Sequence, residues 1–152
     1  MKNTKFMQEA INEAYTGINN NEGGPFGCVI IKDEKIVGRG HNLVLKNNDP
    51  TAHGEISAIR DACKSLKTYD LTGCTLYTTA APCPMCKGAI MWSNISKVYY
   101  GCRIEDTEKI GFRDQDFYDE FKKTEYNYGK ETSRQECLKL FDDYNNKKAQ
   151  RY

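Results

Sequence analysis

A chain of 152 residues has room for one domain of ordinary size and not for two. Its 22 Lys and Arg against 21 Asp and Glu leave a net charge of +1, which argues against a strongly basic nucleic-acid binder but not against a local basic patch. Hydrophobic residues make up 39%, with 10 Tyr and 6 Phe, enough to build a core without disulfides, and no apolar run approaches the roughly 18 residues that cross a bilayer. Seven cysteines cannot all pair within one chain. With no apolar leader at residues 1–6, they predict reduced thiols and a cytoplasmic setting.

Apolar residues at three- and four-residue steps (Met7, Ala10, Ile11, Ala14, Tyr15, Ile18) predict a helix over residues 4–20 with Thr4 as its cap, ended by Gly23-Gly24-Pro25. Residues 26–32 form a β-branched apolar run and predict a buried strand. Asp33-Glu34-Lys35 predicts a turn, and residues 36–42 the second strand of a hairpin. Asn47-Asn48-Asp49-Pro50 reads as loop, and helical spacing returns over 52–66. Residues 74–79 predict a strand and 84–92 a helix with Pro84 at its start. Residues 97–101 predict a further strand. Helical segments follow near 105–109, 115–123 and 133–148 in a charged, slightly acidic last third. Alternating β and α elements imply a layered α/β domain with helices on both sheet faces.

Two clusters carry chemistry. Thr51-Ala52-His53-Gly54-Glu55 opens one predicted helix and Pro82-Cys83-Pro84-Met85-Cys86 opens another. Each follows a loop leaving a strand, where ligands bind in open α/β sheets. Cysteines at i and i+3 of a helix start present two sulfurs on one side, and the positive helix end favours thiolate. Alone, Cys83 and Cys86 fit a redox pair, half of a four-cysteine zinc site, or two structural thiols. His53 adds a third ligand. Three protein ligands leave room for a water, the habit of catalytic zinc, whereas structural zinc closes its shell with four. Glu55, near the metal but not bound to it, suits a proton carrier between that water, a ring nitrogen and a departing amine.

The pattern H-x-E followed by P-C-x-x-C, as His53, Glu55, Pro82, Cys83 and Cys86, resembles the cytidine/deoxycytidylate deaminase superfamily over roughly residues 5–115. That resemblance implies a three-layer α/β/α cytidine-deaminase-like fold with a mixed five-stranded sheet. It also implies one Zn2+ per subunit with a bound water or hydroxide, and a homo-oligomer. Gly24-Pro25-Phe26-Gly27, Asn48 to His53, Ala89-Ile90-Met91-Trp92 and Gly111-Phe112-Arg113-Asp114 look like bacterial guanine deaminases of this fold. From this, Phe26 and Trp92 are expected to line the pocket and Asn42 to bind the base edge. Asp114 is expected to face the purine and assist proton transfer or recognition. Gly54 is expected beside the substrate, where those enzymes more often have Ala. The ending Asn146-Lys147-Lys148-Ala149-Gln150-Arg151-Tyr152 resembles their C-terminal segment, which can pass between subunits and bring a terminal aromatic to the neighbour's pocket. The expectation is one domain over 1–152, with a helical segment 115–152 of this kind, in a homodimer.

The leading functional expectation is hydrolysis of a free nucleobase, guanine to xanthine and ammonia. His53 to Ser57, Gly40-His41-Asn42 and Leu76 to Thr79 are also similar to fungal-type cytosine deaminases. Deaminases of the tRNA wobble adenosine share the zinc motif, but they need basic residues for phosphates, which the near-neutral charge disfavours. A non-enzymatic alternative is a structural zinc site completed by Cys28, Cys74 or Cys102, or a Cys83–Cys86 redox pair.

Overall fold

The structure, a computed structural model, describes residues 2–123 and 129–152. The elements run α1 (Lys2–Asn19), β1 (Gly27–Lys32), β2 (Lys35–His41), α2 (Val44–Asn47), α3 (Gly54–Leu66), β3 (Thr75–Ala80), α4 (Pro84–Trp92), β4 (Lys97–Cys102), α5 (Ile104–Lys109), α6 (Asp114–Phe121) and α7 (Arg134–Asn146). Two compact units result, residues 1–120 and 121–152.

In the first unit the sheet order is β2-β1-β3-β4. β1 is antiparallel to both β2 and β3, and β3 is parallel to β4 across the α4 crossover. The β1–β2 hairpin closes on Asp33 and Glu34, both at positive φ (47° and 63°), the handedness a two-residue hairpin loop requires. β1 reads as an unbroken apolar run because both of its faces are covered. Cys28 and Ile30 join Ala58 and Ala62 of α3, Leu76 of β3 and Ile90 of α4 in one core cluster. Val29 and Ile31 join Ala10 of α1 and Tyr77 of β3 in a second, with Phe6, Met7 and Tyr99 packed against it. The period-two alternation of one strand thus feeds two cores. α3 lies close against β2: a Cβ on Gly40 would stand 2.4 Å from the Ala58 nitrogen and 2.7 Å from the Gly54 carbonyl oxygen.

The mixed α/β fold with helices on both sheet faces is as expected, but the described residues form four strands, not five. The four are those expected from the residues themselves. Beyond β4 the chain turns helical, with Glu105 and Asp106 in the first turn of α5 and Asp114 and Asp116 in that of α6, where acids favour helix N-termini. Two smaller differences are local. Thr4 lies inside α1 rather than capping it, and Val44–Asn47 forms a one-turn helix where no helix was expected, ending at the first residue of the expected loop.

The second unit is built on α7. Arg151 stacks over the Tyr144 ring at 4.3 Å and donates to the Asn145 Oδ1 (2.6 Å). The Tyr144 hydroxyl donates to the Gln150 carbonyl (3.0 Å). The chain end is therefore held to the end of its own helix. The expected segment 115–152 includes residues 124–128, which lie outside the described residues.

Candidate active site

Two helix starts in the first unit meet at one point. His53 occupies the N-cap of α3 and Cys83 the N-cap of α4, both in extended conformation, with Pro84 at the first helical position. Proline suits that position because its missing N–H would be unpaired there in any case. Cys86 follows one turn on, fully buried. The His53 Nδ1 lies 3.6 Å from the Cys83 Sγ and 3.5 Å from the Cys86 Sγ. Zinc at about 2.0–2.1 Å from nitrogen and 2.3 Å from sulfur in a tetrahedron would separate such atoms by about 3.6 Å. The donor set and its spacing therefore fit zinc. Among the described residues, His53, Cys83 and Cys86 form the one His/Cys/Asp/Glu group with all ligand atoms within 4.8 Å of one another.

Among the described residues the non-enzymatic alternative gains no fourth ligand. Cys28 and Cys74 belong to the core cluster, Cys102 is exposed, and all seven cysteines are free. Three protein donors leave a coordination position for water, the pattern of catalytic rather than structural zinc.

Glu55 sits in the first turn of α3, buried beside the cluster. Its Oε1 accepts from the Thr78 hydroxyl (3.0 Å) and its Oε2 from the Cys86 thiol (3.3 Å). Burial pushes the Glu55 carboxyl above the usual carboxylate range, against these hydrogen bonds. Hydrogen bonding from Cys86, assisted by His53, holds the Cys83 thiol well below its usual range, against its burial. His53 is raised, chiefly by its hydrogen bond to Cys83 and against its burial. The site favours a sulfur anion beside an imidazole.

The pocket over the cluster is lined by Phe26, Asn42, His53, Glu55, Cys83 and Asp114, together with Ala80, Ala81 and Phe112. Asn42 is buried. Its N–H donates to the Phe26 carbonyl (2.9 Å), and its Oδ1 accepts from the Val44 N–H (3.1 Å). Asp114 opens α6, and burial raises its carboxyl, with the Cys83 charge adding to the rise. The Tyr118 hydroxyl, one turn further along α6, donates to the Pro82 carbonyl (2.6 Å) and ties α6 to the loop before Cys83.

The structure thus brings together Phe26, Asn42, His53, Glu55, Cys83, Cys86 and Asp114. Gly54 lies at the start of α3 against the Phe26 backbone, where an added Cβ would stand 3.1 Å from the Phe26 carbonyl oxygen. Trp92 is 72% exposed at the far end of α4, about 13 Å along a nine-residue helix from its start. Within one chain it does not line the pocket. Tyr152 is exposed at the end of the second unit. Two neighbours of the site escaped the sequence reading. Phe112 packs edge-on against Phe26, ring centroids 4.8 Å apart; it lies within the recognised stretch 111–114. Thr78 lies within the stretch 76–79 already noted for its resemblance, but nothing local assigns it a partner.

Comparison with known proteins agrees with this geometry. The family model for the cytidine and deoxycytidylate deaminase zinc-binding region matches residues 1–102. The chain is 46% identical over 123 residues to a guanine deaminase of Bacillus subtilis (strain 168), covering 81% of this chain and 79% of that one. It is 36% identical over 143 residues to a tRNA-specific adenosine deaminase of Buchnera aphidicola (subsp. Schizaphis graminum), covering 94% and 93%. The crystal structure of guanine deaminase from Bacillus subtilis superposes with a TM-score of 0.86 at 42% identity, covering 94% of this chain and 93% of that one. With the zinc donors and the neighbouring glutamate in place, the chain belongs to the cytidine and deoxycytidylate deaminase zinc-binding family.

Proposed function

We propose that this chain hydrolyses guanine to xanthine and ammonia, using one zinc ion held by His53, Cys83 and Cys86. The observation that carries the reading is the convergence of Asp114 and Asn42 on the pocket that contains Glu55 and the zinc donors. Zinc, when bound, supplies a hydrolytic nucleophile at neutral pH by lowering the pKa of a water.

The protein's own groups do the rest. Glu55 takes the proton of the attacking water, passes it to a ring nitrogen next to the guanine C2, and delivers a proton to the amine that leaves C2. The Asn42 amide holds the base edge, and Asp114 accepts from purine N–H groups and assists the proton transfers. Phe26 packs on the ring, and Gly54 leaves room beside it. Guanine and one water are consumed, and xanthine and one ammonia released.

The 46% identity to a guanine deaminase supports guanine over the tRNA reading, as does a net charge of +1, too small for a strong phosphate grip. We further propose one deaminase domain over 1–152, assembled as a homodimer in which the helical segment 115–152 is exchanged. In that assembly Trp92 and Tyr152, exposed in the single chain, contribute to the pocket. A cytoplasmic setting suits the seven free cysteines.

Ammonia release from guanine, cytosine, adenine, their nucleosides and a tRNA anticodon stem tests the substrate. The expected result is turnover of guanine, confirmed by formation of xanthine. Turnover of the tRNA stem or of cytosine with none of guanine overturns it. Glu55→Ala is expected to retain zinc and lose turnover.

A further inference from the structure

The second histidine of the chain, His41, lies outside the zinc cluster, and its surroundings are built. It ends β2, with its side chain 14% exposed. Its Nδ1 is 3.0 Å from the Glu13 Oε2 on α1, and its Nε2 is 2.5 Å from the Glu22 Oε2 in the loop between α1 and β1. An ionised carboxylate can only accept, so a ring facing a carboxylate at both nitrogens must donate from both and carry a positive charge. Further charges surround the triad. Lys46 next to α2's end donates to the Glu22 Oε1 (2.7 Å). Arg39 of β2 pairs with Glu9 (2.8 Å) and lies 3.6 Å from Glu13. From α3, Asp61 accepts the Arg39 backbone N–H.

This cluster abuts the pocket through the next residue. Asn42 follows His41 directly, and the backbone at Gly23 is so close to it that a Cβ there would stand 2.1 Å from the Asn42 Oδ1. The Glu22 carbonyl accepts from the N–H groups of Leu45 and Lys46 (3.1 and 3.0 Å). Glu22 therefore joins the loop leading to Phe26, the short helix α2 and the end of β2, and His41 fastens it.

We propose that His41, bridging Glu13 and Glu22, is a positioning residue that fixes Asn42 and the Gly23–Phe26 loop for the incoming base. The assignment rests on the reading of Asn42 and Phe26 as base-contacting residues. Burial pulls His41 down, but its hydrogen bonds to Glu22 and Glu13 win and place it above the ordinary 6.5. The bridge is therefore complete below that value. It is lost as pH rises through the raised pKa, when one ring nitrogen turns acceptor and faces a carboxylate. Affinity for the base then weakens on the alkaline side while the chemical step is untouched.

The test is a pH titration of the full-length, zinc-loaded protein followed by NMR, with steady-state kinetics on guanine alongside. The His41 ring is expected to titrate above 6.5. The Asn42 side-chain amide and the Gly23 and Gly24 backbone amides are expected to shift with the same midpoint. His41→Gln is expected to erase that transition and to raise KM about tenfold, the size of one charged hydrogen bond lost, with kcat within twofold. Glu22→Gln, which keeps the imidazole, should lower the ring's midpoint and raise KM in the same direction. A ring midpoint at or below 6.5 overturns the proposal. So do Asn42 and Gly23 signals that stay flat while His41 titrates, or a His41→Gln variant with unchanged KM. If the protein fails to turn over guanine, the substrate reading falls alone, because the coupling of His41 to Asn42 is read from the spectra without substrate.

Discussion

Thr78→Val is the substitution that most directly tests whether Glu55 must be held to work. Thr78 is 1% exposed on β3 and its hydroxyl donates to the Glu55 Oε1 at 3.0 Å. Among the described residues the other side-chain donor to Glu55 is the Cys86 thiol, on Oε2. A cysteine that binds zinc does so as thiolate and gives up that proton, so in the loaded enzyme the Thr78 hydroxyl is the side-chain donor that remains. Valine keeps the shape and removes the donor. A hydrogen bond to a charged group contributes about 1.5–3 kcal/mol, and at roughly 1.4 kcal/mol per decade its loss from the proton carrier lowers kcat by about 10- to 150-fold. The assay is initial-rate formation of xanthine, with zinc per chain and the melting temperature measured on the same preparation. Zinc should stay at one per chain, and Thr78→Ser should recover most of the rate by restoring the hydroxyl. A Thr78→Val enzyme within twofold of wild type at full zinc content would refute the reasoning, and so would a Thr78→Ser enzyme no faster than Thr78→Val.

Asp114→Asn removes the second acid while preserving its shape, and kcat/KM for guanine is expected to fall about 100-fold with zinc retained; an unchanged value removes Asp114 from the reaction. Chelation of the metal should abolish turnover and change thiol reactivity. Cys102 and Cys137 are exposed and react before and after, Cys83, which lines the pocket, reacts only afterwards, and Cys28, Cys74 and Cys86, at 0%, 1% and 0% exposed, stay slow. Equal labelling of Cys83 with and without chelator would show that it holds no metal. Two glycine substitutions should differ sharply in urea unfolding. Gly54→Ala needs its Cβ only 3.1 Å from the Phe26 carbonyl oxygen to ease by tenths of an ångström, and the helix gains from losing glycine, so stability should change by less than about 1 kcal/mol. Gly40→Ala places a Cβ 2.4 Å from the Ala58 nitrogen and must push α3 off β2, at a cost of about 3 kcal/mol or more.

What could be read from the sequence follows from how local each feature is. The zinc donors and Glu55 were legible because their chemistry is encoded at fixed short spacings at two helix starts, and because Pro84 marks one of those starts itself. β1 was legible because burial on both faces leaves no polar residue along residues 28–31. The fifth strand came from family resemblance rather than from any β-branched run, and residues 104–109 and 114–121 are helical instead. Thr78 illustrates the opposite limit. Threonine is an ordinary strand residue, and its partner Glu55 is 23 positions away, so nothing near it in the chain distinguishes a hydroxyl that holds a carboxylate from one that faces solvent. His41 is the same kind of case: Glu13 and Glu22 come from a helix and a loop 28 and 19 positions earlier, and only the closed sheet sets all three side by side. Motif spacing therefore pointed to the three donors that the fold brings within reach of one ion, and to the glutamate buried beside them. Their neighbours, Thr78 bonded to Glu55 and His41 bridging Glu13 and Glu22 next to Asn42, became visible only once tertiary packing had brought distant residues together.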